Sequence, residues 1–311
     1  MAQSRRLFFS ILALVFLSFF FSLVKGSAFV PLSALFTDAN HPILQLRITR
    51  TAAAFVSGGL LAFAGSLMQL LLQNPLADPY VLGISGGAAL FTLCFMLLGV
   101  NEQWLLPGAW AGSLLTMCCV FLLARKHRWH AHTLLLSGIA LACGFSACVS
   151  FILLISPDSR LHSMLFWLAG DLNEAHFPWL ELIILGASYV VCAFLARGLN
   201  LLARGEESAR ALGLSVKHYQ ILLYLLSSLC TAAAVSLVGC IGFIGLLVPH
   251  FTRRFTGPDH RLSLPIAILL GGGLLVTADT LTRTIFAPQQ LPVGIIIAML
   301  GVPAFIWVLQ K

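Results

Sequence analysis

The side chains in this sequence that could bind a metal ion or catalyse a reaction include nine histidines and 11 acidic residues. Three histidines are close together, but they share their segment with three cations, and neighbouring positive charge disfavours a bound metal ion. The segment contains Arg125, Lys126, His127, Arg128, His130 and His132. The H-E-x-x-H pattern, a Ser/His/Asp nucleophile motif and the nucleotide-binding pattern G-x-x-x-x-G-K-[ST] do not occur. We therefore predict no catalytic residue, no metal ligand and no cofactor in this chain, and any ATP would bind to other chains.

The eight cysteines predict packing rather than disulfide chemistry. All of them lie inside apolar runs, and no C-x-x-C pair occurs. We interpret them as small buried apolar side chains. They are Cys94, Cys118, Cys119, Cys143, Cys148, Cys192, Cys230 and Cys240.

The composition places these residues in lipid. Hydrophobic residues make up 59% of the 311 residues, charged residues 9%, and the mean hydropathy is +0.97, whereas a soluble domain carries about 25% charged residues. A membrane-spanning helix needs roughly 20 residues. The sequence therefore predicts an all-α membrane protein with about ten transmembrane helices in a single domain over residues 1–311. The apolar stretches are 7–24, 48–72, 80–99, 104–124, 133–155, 178–197, 218–238, 243–255, 263–282 and 292–310.

The positive charges predict the orientation of these helices. If the N-terminus is cytoplasmic, most of the 18 lysines and arginines fall inside, including Arg5, Arg6 and Lys311, as the positive-inside rule requires. Both termini are therefore predicted to be cytoplasmic. The net charge of +7 thus reflects membrane orientation and not nucleic-acid binding. The cations left outside are Lys25, Arg47, Arg50, Arg160 and Arg283.

Two segments inside the apolar sequence predict irregular backbone. Between the second and third stretches, two prolines bracket a short polar turn, because proline ends a helix and extends the residue before it. The residues of this turn motif are Asn74, Pro75, Asp78, Pro79 and Gly83. The second segment, residues 239–249, is an apolar run interrupted by glycines that ends at Pro249 and His250. It predicts a broken or re-entrant element, whose backbone must be buried in protein or line a cavity.

A third segment, about 204–217, predicts an amphipathic helix in the longest inside loop. Glu206, Glu207 and Arg210 can share one helical face, while Ala209, Leu212 and Val216 form an apolar side. Gly213 can end one turn and allow a second short helix to start. From these residues alone, a helix lying on the lipid surface and a helix docking a soluble partner are equally good interpretations.

The three segments, in this order and spacing, resemble the FecCD-type permease family of ABC importers. The shared patterns are N-P-L-A-D-P-x-x-L-G, G-E-x-x-A-R-x-L-G and G-F-I-G-L-x-V-P-H, and the resemblance extends from about Arg47 to Trp307. It implies a homodimeric, ATP-driven importer of a metal chelate (ferric siderophore, haem or cobalamin) in the bacterial inner membrane. Two cytoplasmic ATPase subunits would carry ATP and Mg, and a periplasmic binding protein would deliver the substrate.

The resemblance also assigns roles to particular residues. It implies that Glu206, Glu207, Ala209, Arg210, Leu212 and Gly213 couple the chain to the ATPase. It implies that Arg47, Arg50 and Arg283 dock the binding protein, although interfacial snorkelling is an alternative and Arg283 can pair with Asp279 at i, i+4. The fifth and tenth spans would line the pathway, with Ser137, Gly138, Ser146 and Ser150 giving the fifth some small polar surface.

An ion-coupled secondary transporter working without ATPase subunits is the rival interpretation. Such carriers usually need ionisable groups near the membrane midplane. In this sequence Asp279 is the only carboxylate well inside an apolar run, and it lies near the end of that run. The scarcity of such groups favours the ABC importer. A scaffold or membrane enzyme is the third alternative, for which the sequence contains no catalytic constellation.

Overall fold

The computed structural model describes residues 2–26, 41–126, 131–285 and 287–309. His127, Arg128, His130 and Lys311, which entered the sequence predictions, lie outside the described residues. The described chain contains 13 α-helices and two short 3-10 helices, Pro79–Leu82 and Glu102–Trp104. The α-helices are α1 Ala2–Val24, α2 His41–Leu71, α3 Ile84–Leu98, α4 Leu105–Lys126, α5 Ala131–Ile155, α6 Asp158–Leu168, α7 Trp179–Phe194, α8 Ala196–Leu202, α9 Glu206–Ala211, α10 Val216–Val238, α11 Ile244–Thr256, α12 His260–Thr284 and α13 Val293–Leu309.

Each predicted apolar stretch contains a helix, which confirms the all-α membrane fold class. Five helices are long and apolar enough to cross a membrane, and a sixth span results if α7 and α8, bent by 72° at their junction, count as one. Shorter apolar helices lie in α1, α3 and α13. Helix α11 is also short, so the count of ten spans is approximate. The prediction did not anticipate α6 or the bend after Phe194.

Helix α2 forms the centre of the bundle and is almost wholly buried. It packs against α10, α11 and α12, and glycines allow these backbones to approach closely. A Cβ on Gly65 would collide with the backbone of Gly245 in α11, and a Cβ on Gly58 would collide with the backbone of Gly271 in α12. Lipid supplies no hydrophobic drive between helices, so close backbone packing of this kind holds the bundle together.

This packing predicts that Gly65→Ala destabilises the protein. The added methyl group meets backbone, which cannot rotate away, so we expect a loss of about 3 kcal/mol or more. Gly186→Ala in α7 is the matched control, because no atom lies within 4 Å of the added Cβ and the gain in helix propensity is the same. Thermal unfolding in detergent should give a lower midpoint for Gly65→Ala only. Equal midpoints for the two variants would contradict the close packing.

The segment between α10 and α11 is broken, as predicted for residues 239–249. Five non-helical residues follow Val238, and among them Gly239 and Phe243 have φ of 72° and 68°. Their neighbours satisfy the interrupted backbone, because Asp171 N donates to Val238 O at 3.0 Å and Tyr80 Oη accepts from Ile241 N at 2.8 Å. Irregular backbone in a membrane protein must be buried in protein or line a cavity. Here neighbouring protein groups make the hydrogen bonds that the helices do not supply.

Candidate functional site

The segment predicted to couple the chain to an ATPase folds into a short helix, α9, held against the chain's own core. Gly205 precedes the helix with φ of 106°. Glu206 accepts a hydrogen bond from Gln220 at 2.7 Å and pairs with Arg210 at 3.0 Å. Ala209 is fully buried. The helix is therefore anchored through Glu206 and Ala209 to α10 and its surroundings.

The end of α9 corrects two details of the sequence prediction. Leu214 N donates to Ala209 O at 3.0 Å and Gly213 N donates to Arg210 O at 2.9 Å, which is the Schellman arrangement, with Gly213 at φ of 81°. The chain turns at this point, so Leu212 is 62% exposed instead of joining Ala209 on a buried apolar side. The next helix along the chain is the 23-residue α10, not a second short helix.

The exposed surface of α9 is consequently mixed in character. Glu207, Arg210 and Leu212 are exposed, while the apolar residues on either side, Ala209 and Val216, are buried within the chain. A helix lying on lipid needs a continuous apolar face directed away from the protein. Only Leu212 of this apolar set remains outside, so the surface of α9 suits a protein partner better than a membrane surface.

The turn motif between α2 and α3 packs directly against the α10–α11 break. Asn74 Oδ1 accepts from Leu76 N at 2.9 Å, and Asp78 Oδ1 accepts from Tyr80 N at 2.8 Å. Pro79 begins the 3-10 helix and Gly83 ends it at φ of 75°. The ring of Pro79 occupies the space that a Cβ on Gly245 would need. Two motifs that are separate in the sequence thus form one structural unit.

Of the two residues that close the second motif, Pro249 is buried inside α11 and His250 is half-buried.

Two of the three arginines predicted to dock a binding protein, Arg50 and Arg283, converge on one buried carboxylate. Arg50 Nε donates to Asp279 Oδ1 at 2.9 Å, and Arg283 lies 3.0 Å from Asp279 Oδ2, although without the alignment of a good hydrogen bond. Asp279 is 0% exposed and Arg283 only 4%. The Asp279–Arg283 pair anticipated from the i, i+4 spacing is therefore present, and Arg50 is a second, unanticipated partner.

Further hydrogen bonds tie this cluster to neighbouring elements. Arg47 Nη1 donates to Leu23 O at 2.8 Å at the end of α1. Arg50 Nη1 donates to Gln290 Oε1 at 2.7 Å, in the connection between α12 and α13, and also to Asn173. Arg47, Arg50 and Arg283 all line a cavity of about 300 Å³, and no carboxylate is among the described residues that line it. The docking role of the arginines stays a prediction, and the geometry adds a structural role within the chain.

The predicted pathway residues on α5 differ in their surroundings. Ser146 and Ser150 are exposed and Ser137 is half-buried. Gly138 is buried against the backbone of Val81 and Leu82, in the 3-10 helix. Most of the α5 surface is uncovered within this chain, so its exposed face is free to contact lipid, a second copy or a passing substrate.

Two features were missed or wrongly predicted from the sequence. Glu181, in the first turn of α7, is 0% exposed, and neither carboxylate oxygen has a hydrogen-bond partner among the described residues. Asp279 is therefore not the only carboxylate inside the bundle. The prediction of buried cysteines is wrong in part, because Cys118, Cys143 and Cys148 lie on exposed, otherwise apolar helix faces. Among the described residues, no three His, Cys, Asp or Glu side chains group to hold a metal ion.

Known proteins resemble the whole of this chain. The profile of the FecCD transport family matches residues 11–311. The hemin transport system permease protein HmuU of Yersinia pestis is 41% identical over 281 residues, which cover 87% of this chain and 84% of the relative. The vitamin B12 import system permease protein BtuC of Klebsiella pneumoniae subsp. pneumoniae is 36% identical over 321 residues, which cover 99% of this chain and 95% of the relative.

Solved structures share the fold. A structure described as an inward-facing conformation of a metal-chelate type ABC transporter matches with a TM-score of 0.87 and 27% identity over 99% of both chains. PsaBC from Streptococcus pneumoniae in complex with Fab matches with a TM-score of 0.56 and 19% identity over 84% of this chain and 90% of that chain. The resemblance drawn from the three sequence motifs is confirmed, and the chain belongs to the FecCD transport family.

Proposed function

We propose that this protein is the transmembrane permease subunit of an ATP-driven importer that moves a metal chelate from the periplasm to the cytoplasm of a bacterium. The observation that carries this proposal is α9, a short helix anchored to the core through Glu206 and Ala209 that presents Glu207, Arg210 and Leu212 outward. Two ATPase subunits carrying ATP and Mg would dock there. The named functions of the hemin and vitamin B12 permeases support haem and cobalamin as the first substrates to test, beside ferric siderophores.

The orientation and assembly belong to the same proposal. The distribution of lysine and arginine supports cytoplasmic termini, with α9 on the cytoplasmic side and the arginine cluster facing the periplasm and its binding protein. A second copy of the chain would cover part of α5 and α13. The uncovered faces of these helices, which include Leu154 at 85% and Met299 at 67% exposed, support a homodimer around a central pathway.

Reconstituted uptake tests the proposal. Proteoliposomes containing the permease and its ATPase subunits, with binding protein outside and ATP inside, should accumulate haem, cobalamin or a ferric siderophore. We expect no accumulation when ATP is replaced by a non-hydrolysable analogue. Mass spectrometry of the ligand held by the binding protein would identify the substrate.

The same preparation distinguishes the rival function. Glu181 is a buried carboxylate without a partner among the described residues, which is the kind of group an ion-coupled carrier uses. If the permease alone transports along a proton or sodium gradient, and Glu181→Gln abolishes that transport, the chain is a secondary transporter and the ATP-driven mechanism is wrong.

A further inference from the structure

A second cavity lies beside the arginine cluster and has the opposite charge. It encloses about 380 Å³, a size typical of ligand pockets, between α6, the start of α4 and the end of α10. Three carboxylates line it, on Glu102, Asp171 and Glu174. None of these carboxylates pairs with a lysine or arginine in the described part of the chain. The nearby guanidinium of Arg160 instead donates to the carbonyl of Met96 at 3.0 Å.

One residue that lines the acidic cavity has a buried hydroxyl group that makes no hydrogen bond among the described residues. Ser236, near the end of α10, lines the cavity and is 6% exposed. Its hydroxyl has no hydrogen-bond partner in the chain as described. A buried polar group without a partner is costly unless something else bonds to it. Because this oxygen is shielded from solvent, an N–H group that enters the cavity reaches it only after the lining side chains shift.

The rest of the lining identifies the class of cation. Phe166 and Trp167 contribute aromatic surface, and aromatic faces attract ammonium and guanidinium groups. The carboxylates do not group with histidine or cysteine side chains to hold a metal ion within the described ranges. Partial burial, together with the like charges of Glu102 and Asp171, raises the pKa of Glu174. A cation that enters the cavity relieves this repulsion.

The position of the cavity identifies the source of the cation. Asn173 and Ala175 line both the acidic cavity and the cavity of Arg47, Arg50 and Arg283, so the two sites share a wall. A docking protein that places a carboxylate near the arginines therefore brings its neighbouring side chains over the acidic cavity. Adjacent sites of opposite charge fix the orientation of a partner, because a rotated partner meets like charges.

We propose that the acidic cavity receives a lysine or arginine side chain of the periplasmic binding protein. This inference rests on the proposed function. This contact complements the predicted docking at the arginine cluster and sets the rotational register of the bound protein. The cavity differs from the arginine cluster in that its carboxylates carry no internal ion pair among the described residues, so they are available to a partner from outside.

The rate at which the permease captures the binding protein tests this assignment. The permease and its ATPase subunits are held in lipid nanodiscs, and the binding protein is the probe. Glu102→Gln with Glu174→Gln removes two charges from exposed positions and preserves side-chain shape. Asp158→Asn is the control, because it removes a negative charge from an exposed position of α6 that does not line either cavity. We expect the double variant to associate roughly three- to tenfold more slowly at low ionic strength, with the difference shrinking in high salt.

Carbodiimide cross-linking adds a structural readout, since it joins a carboxylate to a lysine in direct contact. A cross-link from Glu102, Asp171 or Glu174 to the binding protein supports a lysine, whereas slowed capture without a cross-link supports an arginine. Capture by the double variant as fast as by Asp158→Asn would overturn the assignment. If the wild-type permease does not capture a binding protein at all, the proposed function itself fails, and this result is distinct from failure of the acidic cavity alone.

Discussion

Asp279→Ala should destabilise the protein by about 3–5 kcal/mol, the usual cost of removing one partner from a buried ion pair. The carboxylate of Asp279 is fully buried and lies 2.8 Å from Arg50 and 3.0 Å from Arg283. Its loss leaves two guanidinium groups close together without a counter-charge. Thermal and denaturant unfolding of the purified protein in detergent would measure the loss, and a poor yield of folded protein agrees with it.

An exposed ion pair provides the control. Arg210→Ala removes the partner of Glu206 on the surface of α9, and exposed pairs contribute about 0–1 kcal/mol. Comparing Asp279→Ala with Arg210→Ala separates the effect of breaking a buried ion pair from the effect of breaking an exposed one. A rescue variant, Asp279→Leu combined with Arg50→Met and Arg283→Met, should recover much of the stability, because apolar residues can replace a buried ionic cluster. If Asp279→Ala unfolds like Arg210→Ala, the cluster does not stabilise the bundle.

Glu207→Lys combined with Leu212→Asp should uncouple the permease from its ATPase subunits. Both side chains are exposed at α9, and the loss of a central interface contact of the hot-spot kind costs about 2 kcal/mol or more, which corresponds to roughly 30-fold weaker association. We expect the ATPase to be lost on co-purification and transport-stimulated ATP hydrolysis to fall to the basal rate. Reversal of Glu206 is a poorer test, since Glu206 bonds to Gln220 and Arg210 within the chain.

The control for this prediction is a charge reversal at the opposite end of the bundle. Asp158→Lys changes an exposed acid of α6 and should leave ATPase association unchanged. The unfolding midpoint of the α9 variant should equal that of the wild type, because neither side chain is buried. Wild-type association and stimulated hydrolysis in a folded α9 variant would remove this helix from the docking interface.

The helices were predictable because lipid requires long apolar runs, whereas the bend between α7 and α8 was not. The sequence Phe194-Leu195-Ala196 contains no proline or glycine, so the apolar pattern continues through the bend. The broken segment after Val238 was predictable, because glycines and a proline interrupt an apolar run there. Local patterns therefore reveal a break where glycine and proline interrupt an apolar run, and they miss a bend where neither residue occurs.

The candidate sites likewise combine contacts that a local sequence pattern reveals with contacts that only the fold creates. The spacing of Asp279 and Arg283 revealed their pair, since it lies within one helix. The partnership of Arg50 with Asp279 joins residues 229 positions apart, and only the packing of α2 against α12 brings them together. The prediction for Leu212 was wrong because helical periodicity does not extend through the turn at Gly213. The acidic cavity combines residues from four separate segments, which no local sequence pattern can assemble.

The contact between the turn motif and the α10–α11 break restricts how this sequence can evolve. Tyr80 Oη accepts the hydrogen bond of Ile241 N across 161 positions, and the ring of Pro79 fills the space beside Gly245. A larger residue at 245 is tolerable only with a smaller one at 79, and loss of the hydroxyl at 80 leaves the amide at 241 without its partner. Homologous sequences should therefore change at these two segments together, so a chimera that exchanges only one of them should fold poorly.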